Sequence, residues 1–183
     1  STQSRSSAAS DVYKRQGDIC IDATAGRGND TAYLCGLAGE SGKIIAFDIQ
    51  QEAIDSTAKL LEEKGLSSRA ELILGSHTQM DSYAEEGTVS CITFNFGWLP
   101  GGDHTVHTMK DTSIEAVKKA LRLLKQGGLI SMILYYGRDT GFEEKEALLE
   151  FVKTIDSAEY SVITVDFSNR PNCPPIPIFI LRE

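Results

Sequence analysis

Short apolar runs and amphipathic segments alternate from Gly17 to the end of the chain, and that rhythm restricts the fold more than any other feature. The runs at 18–23, 43–47, 71–74, 90–95 and 129–136 read as buried strands. The stretches between them carry apolar residues at helical spacing, best seen at Ala53, Ile54, Ala58, Leu60 and Leu61 in the segment 51–64. Further helices are expected at 30–37, 112–124 and 143–155, with Gly65 and Gln126-Gly127-Gly128 as stop signals. Strands alternating with helices imply a mostly parallel sheet covered on both faces. The last two strands, 160–167 and 176–181, are joined by a short loop and suggest an antiparallel edge hairpin. Seven strands ending this way describe the methyltransferase variant of the doubly wound, Rossmann-like α/β fold better than the dehydrogenase variant.

Residues 17–183 suit one domain, whereas residues 1–16 are polar, serine-rich and aperiodic and read as a disordered, non-native tail. The stretch SSAASDVYKRQ within that tail resembles a translated sequencing adapter. No apolar run approaches the ~20 residues needed to span a bilayer and no signal-peptide pattern opens the chain, so a cytoplasmic location is expected. Cys20, Cys35, Cys91 and Cys173 lack metal or redox spacing, and no metal is expected. A net charge of −8 argues against nucleic-acid binding through bulk charge and leaves room only for local basic patches.

The strongest local signal is the run from Asp22 to Asp30, where a strand becomes a helix. Gly26 and Gly28 allow a sharp bend and close approach to a ligand, and the helix that follows offers free N–H groups. Asp48 ends the next strand about 20 residues on, where a carboxylate grips ribose hydroxyls. Its plainer reading is a cap for the helix starting at Gln51. A dinucleotide fingerprint would continue to a third glycine, but Thr31 stands there. Acidic Asp22 and Asp30 around the bend suit an ammonium and a sulfonium rather than a pyrophosphate, which favours S-adenosyl-L-methionine (SAM) over NAD.

Ser76 and His77 follow the third strand near the place of an adenine edge, and His77 reads equally as an exposed loop residue. The fourth strand ends in Asn95 and runs into a loop holding Gly97, Trp98, Pro100, Asp103 and His104, beyond the carboxyl ends of the strands where ligands of such sheets bind. Arg138 and Arg170 could contact phosphate, while Lys118, Lys119, Arg122 and Lys125 read as a solvated helix face.

Three segments, DATAGRGNDT (22–31), FNFGWLPGGDH (94–104) and NRPNCPP (169–175), with AFDIQ at 46–50, together resemble one family. It is the family once described as rRNA methylases and since associated with methylation of tRNA 5-aminomethyl-2-thiouridine. The resemblance implies methyl transfer from SAM to the aminomethyl nitrogen of a wobble uridine, with the tRNA anticodon loop as substrate. A homodimer is compatible with it. Cofactor contacts are expected at Asp22, Thr24, Gly26, Gly28, Asn29, Asp30, Thr31, Asp48, Ile49, Gln50, Ser76, His77, Asn95 and Gly97. Asp103, Tyr135 and Asn95 are the expected catalytic residues, Asp103 as the base with His104 in reserve. Substrate contacts are expected at Trp98, Pro100, His104, Arg138, Arg170 and Asn172, with Trp98 or Phe96 stacking on the uracil. The family's Tyr-Pro-Gly-His after the fifth strand reads Tyr135-Tyr136-Gly137-Arg138 here. Competing readings keep SAM but change the substrate to rRNA or a small amine, or make the chain a non-catalytic SAM-binding protein. An NAD oxidoreductase lacks the third glycine and an evident hydride-site pair.

Overall fold

The computed structural model describes residues 17–97, 110–137 and 141–183. Its elements in chain order are β1 (Ile19–Asp22), α1 (Asn29–Ala38), β2 (Lys43–Asp48), α2 (Gln51–Glu63), β3 (Ala70–Leu74), β4 (Val89–Phe96), α3 (Lys110–Leu123), β5 (Leu124–Leu134), α4 (Phe142–Val152), β6 (Tyr160–Thr164) and β7 (Ile176–Arg182). Two short 3-10 turns, at Ser67–Arg69 and His77–Ser82, flank β3.

The strands form one seven-stranded sheet in the order β3-β2-β1-β4-β5-β7-β6. All neighbours from β3 to β5 run parallel, and β7 is antiparallel to both β5 and β6. The expected edge hairpin is therefore present, with β7 inserted inward and β6 outermost. Chain order reverses between β1 and β4, which creates the crevice where such sheets hold ligands.

Strand periodicity divides the core between two faces. Ile21, Ile45, Ile92 and Ile130 point into one cluster, completed by Ala116, Val117 and Ala120 of α3 and Leu148 and Val152 of α4. Cys20 and Ile44 point the other way and meet Ala32, Cys35 and Ala38 of α1 and Leu61 of α2. The thiols belong to that packing: burial pushes Cys20 up to about 12 and Cys35 up to about 11, so neither is a nucleophile. Between α3 and α4 a buried hydroxyl of Ser113 donates to Glu144 Oε1 at 2.5 Å. No helix among the described residues is long and apolar enough to cross a membrane.

Some boundaries differ from the sequence reading. The glycine stop after α3 is no separate loop: Leu124 already pairs with Val89, and the ladder resumes at Cys91 with Leu129. Gln126, Gly127 and Gly128 are accommodated as an enlarged bulge, with Gly127 at φ +70°. Strand β6 stops at Thr164, opposite Ile178 of β7, rather than at 167; the next residue along β7 is Pro177, which has no N–H to donate to a longer ladder. The presumed solvated lysine face also needs correction. Lys119 donates to Thr78 O at 2.5 Å and pairs with Asp81 at 3.1 Å, clamping the His77–Ser82 turn onto α3. Lys125 pairs with Asp18 at 2.6 Å beneath the start of β1.

Candidate cofactor and substrate site

The site grows from the carboxyl end of β1. Strand register fixes Asp22 beside Ala46 and Thr93, and its side chain has no solvent exposure. A buried carboxylate must find donors. Asp22 Oδ2 accepts from Thr31 Oγ1 at 2.6 Å, while Oδ1 accepts from Thr24 N at 3.2 Å and Thr93 Oγ1 at 3.4 Å. Burial outweighs these donors, with the Asp30 charge adding to it, and the carboxyl is pushed up to about 6. The direct cofactor contacts expected of Asp22 and Thr31 are thereby corrected. Both lie under the bend and brace it against the first turn of α1.

The bend itself needs glycine. Gly26 and Gly28 adopt φ +55° and +80°. A Cβ on Gly28 would stand 2.8 Å from Thr57 Cα, so this residue also lets α2 pack against the loop. Asp48, at the end of β2, accepts from Gly26 N at 2.9 Å and, in a local turn, from Gln50 N at 3.0 Å. It does not cap α2, whose N-cap is Gln50 without a side-chain bond. Each Asp48 oxygen receives one of these bonds and keeps a lone pair for another donor, such as a ribose hydroxyl.

Beside Asp48, Ile49 is 58% exposed at the mouth of the crevice, and Leu74 at the end of β3 is similarly bare. An exposed branched apolar side chain next to a ribose-type carboxylate is a surface on which a purine can lie. Ser76 Oγ accepts from Thr78 N at 3.2 Å and caps the following turn. His77 is buried, not exposed: its ring stands edge-on to Phe94 and Phe96 and hydrogen-bonds the Ala23 backbone. Its Nε2 finds no hydrogen-bond partner among the described residues. Burial holds its pKa below the usual imidazole range, against the opposing Ala23 bond and the charges of Asp48 and Glu115. His77 therefore underpins the bend as a neutral ring.

The other wall comes from β4 and β5. Asn95 N donates to Thr24 Oγ1 at 2.7 Å, and Asn95 Nδ2 donates to Asp30 Oδ2 at 2.7 Å. These two bonds span the switch point and tie β4 to the glycine bend. The second fixes the Asn95 amide and leaves Oδ1 to accept from a ligand. Asn29 and Asp30 stand exposed in the first turn of α1, where the Asp30 carboxylate complements the helix dipole. Tyr135 follows β5, its backbone N–H donating to Phe96 O at 2.9 Å. Partial burial and the Asp30 charge raise its phenol above the usual tyrosine value. Gly97, at φ +125°, lies so close to Tyr135 that a Cβ would meet Tyr135 O at 2.9 Å.

Asp30 and Asn95 are thus joined at this edge of the sheet, with Tyr135 at the end of the neighbouring strand β5. Phe96 does not serve as a stacking surface, because it is 1% exposed and stacked on Phe94 in the core. Arg170 and Asn172 are exposed in the turn before β7, with Asn172 and Cys173 in the left-handed region at φ +67° and +53°. Trp98, Pro100, Asp103, His104 and Arg138 lie outside the described residues. The sequence reading overlooks Thr93, whose signal is a lone hydroxyl in an apolar strand, and Thr57, whose Oγ1 donates to Gly26 O at 3.3 Å.

Known proteins resemble this chain in sequence and in fold. The family model described as "Putative rRNA methylase" matches residues 44–181. The chain is 36% identical over 178 residues to the chloroplastic tRNA (mnm5s2U34)-methyltransferase of Arabidopsis thaliana, covering 92% of this chain and 65% of that protein. It therefore spans about two-thirds of that relative's length. Among solved structures, a "putative rRNA-methylase" from Clostridium thermocellum superposes with a TM-score of 0.92 at 44% identity, over the full length of both chains. A "putative methyltransferase" from Streptococcus mutans, solved in complex with SAH, gives 0.86 at 33% identity, again over both full chains.

Proposed function

Because the chain belongs to the family described as "Putative rRNA methylase", we propose that it transfers a methyl group from SAM to the aminomethyl nitrogen of 5-aminomethyl-2-thiouridine at the tRNA wobble position. The cofactor is SAM. The residues fit it: Asp48 retains acceptor capacity for the ribose, exposed Ile49 offers an apolar face for adenine, and Gly26 lets the backbone come close. Gln50, Ser76, Asn29 and Gly97 are assigned to the same cofactor site. The exposed carboxylate of Asp30 favours the cationic amino-acid end and would repel a pyrophosphate.

One observation carries the reading: the Asn95 amide is held on the Asp30 carboxylate at the switch point, beside Asp48, which keeps acceptor capacity, with Tyr135 at the end of the neighbouring strand. The cofactor supplies a methyl group on positively charged sulfur, and a neutral thioether departs with the bonding pair when that methyl moves. The protein's task is mainly positioning. Asn95 Oδ1 accepts one N–H of the neutral amine and so directs its lone pair along the line of displacement. The second acceptor is assigned to the Tyr135 phenol or to the loop that follows Gly97. The new nitrogen–carbon bond leaves the nitrogen positive, and Asp103 takes its surplus proton. Arg138, Arg170, Asn172, Trp98, Pro100 and His104 are assigned to the anticodon loop.

The test is methyl transfer from labelled SAM to tRNA carrying the unmethylated aminomethyl nucleoside, read by mass spectrometry of the nucleosides. Label in that uridine is the expected result, with kcat falling about a hundredfold in Asp103→Ala while SAH affinity holds. Label in rRNA, or in no RNA, would refute the assignment.

A further inference from the structure

Next to Tyr135 lies a second cluster that the proposed chemistry does not use. Gly141, at φ +83°, brings the start of α4 against the end of β5, since a Cβ there would meet Tyr135 O at 3.0 Å and Tyr136 Cα at 3.1 Å. That close approach sets Phe142 edge-on to Tyr136, with ring centroids 5.6 Å apart at 78°. One turn along α4, Lys145 places Nζ 4.6 Å from the Tyr136 ring centroid and 5.5 Å from that of Phe142. Phe142 remains 39% exposed although it begins a helix that buries Leu148 and Val152.

Lys145 has no carboxylate within ion-pair distance among the described residues, in a chain whose net charge is −8. Two acids at the start of α4 are engaged elsewhere: Glu143 pairs with Lys110 at 3.7 Å, and Glu144 accepts from Ser113 inside the core. An ammonium steadied by two aromatic faces, with no carboxylate paired to it among the described residues, suits a phosphate. An exposed phenylalanine beside it suits the flat face of a base. Both pack on Tyr136, the residue that follows Tyr135.

We propose that Tyr136, Phe142 and Lys145 form a nucleotide platform, on which the RNA residue adjoining the methylated one stacks its base against Phe142 and sets its phosphate at Lys145. This rests on the RNA substrate proposed above. It adds a contact set that determines which RNA is held, apart from the groups that orient the amine.

The test uses an anticodon stem-loop RNA bearing the aminomethyl nucleoside, with steady-state kinetics and equilibrium binding to the SAH-loaded protein at several salt concentrations. Phe142→Ala and Lys145→Ala should each raise the RNA KM about ten- to a hundredfold, with kcat at saturating RNA within about threefold and SAH affinity within about twofold. Lys145→Ala should also lower the salt slope of RNA binding by about one, and Phe142→Trp should restore binding. If Phe142→Ala loses SAH affinity as well, its fold has suffered, and Phe142→Leu and Lys145→Gln supply the same readings. Unchanged RNA KM and salt slope in variants that still bind SAH, beside an active wild type, would overturn the platform alone. A wild type that neither binds nor methylates the stem-loop would remove the platform and the RNA reading together.

Discussion

On the β1–β2 side of the switch point, the polar groups under the glycine bend answer to one another. Asp22 is met by Thr31, Thr24 and Thr93, Asp48 by the amides of Gly26 and Gln50, and Gly26 O by Thr57. On the β4–β5 side the groups at the mouth are fewer and more open. The Asn95 amide touches Asp30 with one end only, Tyr135 is partly exposed, and Phe142 and Lys145 face outward. The first side is a preorganised cradle, whose ordering cost is met when the chain folds. The second keeps its hydrogen-bonding capacity for a partner that arrives later. Mutations on the two sides should therefore separate into losses of affinity and losses of turnover.

The largest separation is expected from Asp48→Ala. It removes the acceptor for Gly26 N and Gln50 N together with the ribose grip, so SAH affinity should fall by about a hundredfold or more. The melting temperature should fall with it, by calorimetry. Unaltered SAH affinity in a folded variant would break the comparison at its strongest point.

Asn95→Ala probes the opposite wall. Its backbone N–H still reaches Thr24, so the bend stays braced, but the amine loses its orienting acceptor. Turnover should drop by about ten- to a hundredfold, with SAH affinity changed by less than about threefold. A larger effect on binding than on kcat would place Asn95 with the cradle instead.

The smallest effects lie in pH dependence and concern the cradle alone. Asp22 binds its proton more tightly in the folded chain than when unfolded, so stability from this residue is fully present below about pH 4 and is lost as pH rises through about 6. His77 works in the other direction: its imidazole resists protonation when folded, so stability is lost as pH falls below the ordinary imidazole value. Chemical denaturation between pH 4.5 and 7.5, a window of about these two transitions, should show Asp22→Asn lacking the acid-side gain and His77→Gln lacking the acid-side loss. Parallel curves for wild type and both variants would mean that neither group titrates differently on folding.

The chain's pattern by itself determined the sheet and its direction. Alternating periods of two and 3.6, the glycine bend after β1 and the aspartate ending β2 are local signals, and the residues bearing them need no distant partner to be read. That Asp30 and Asn95 stand at the same edge of the sheet was legible as well, because strand ends in this topology share one edge. Burial was decided only by the tertiary structure. Asp22, Thr31, His77 and Phe96 carry side chains suited to ligand contact, yet packing of β4 and the His77–Ser82 turn against the bend places them beneath it. Lys119 and Lys125 look like surface charges until their carboxylates, from distant parts of the chain, are brought to them. The aromatic pair at Tyr136 and Phe142 leaves no periodic trace, since it exists only because Gly141 lets α4 begin against the end of β5. Sequence fixes what each segment prefers, whereas which face of a polar residue meets water depends on contacts between segments far apart in the chain.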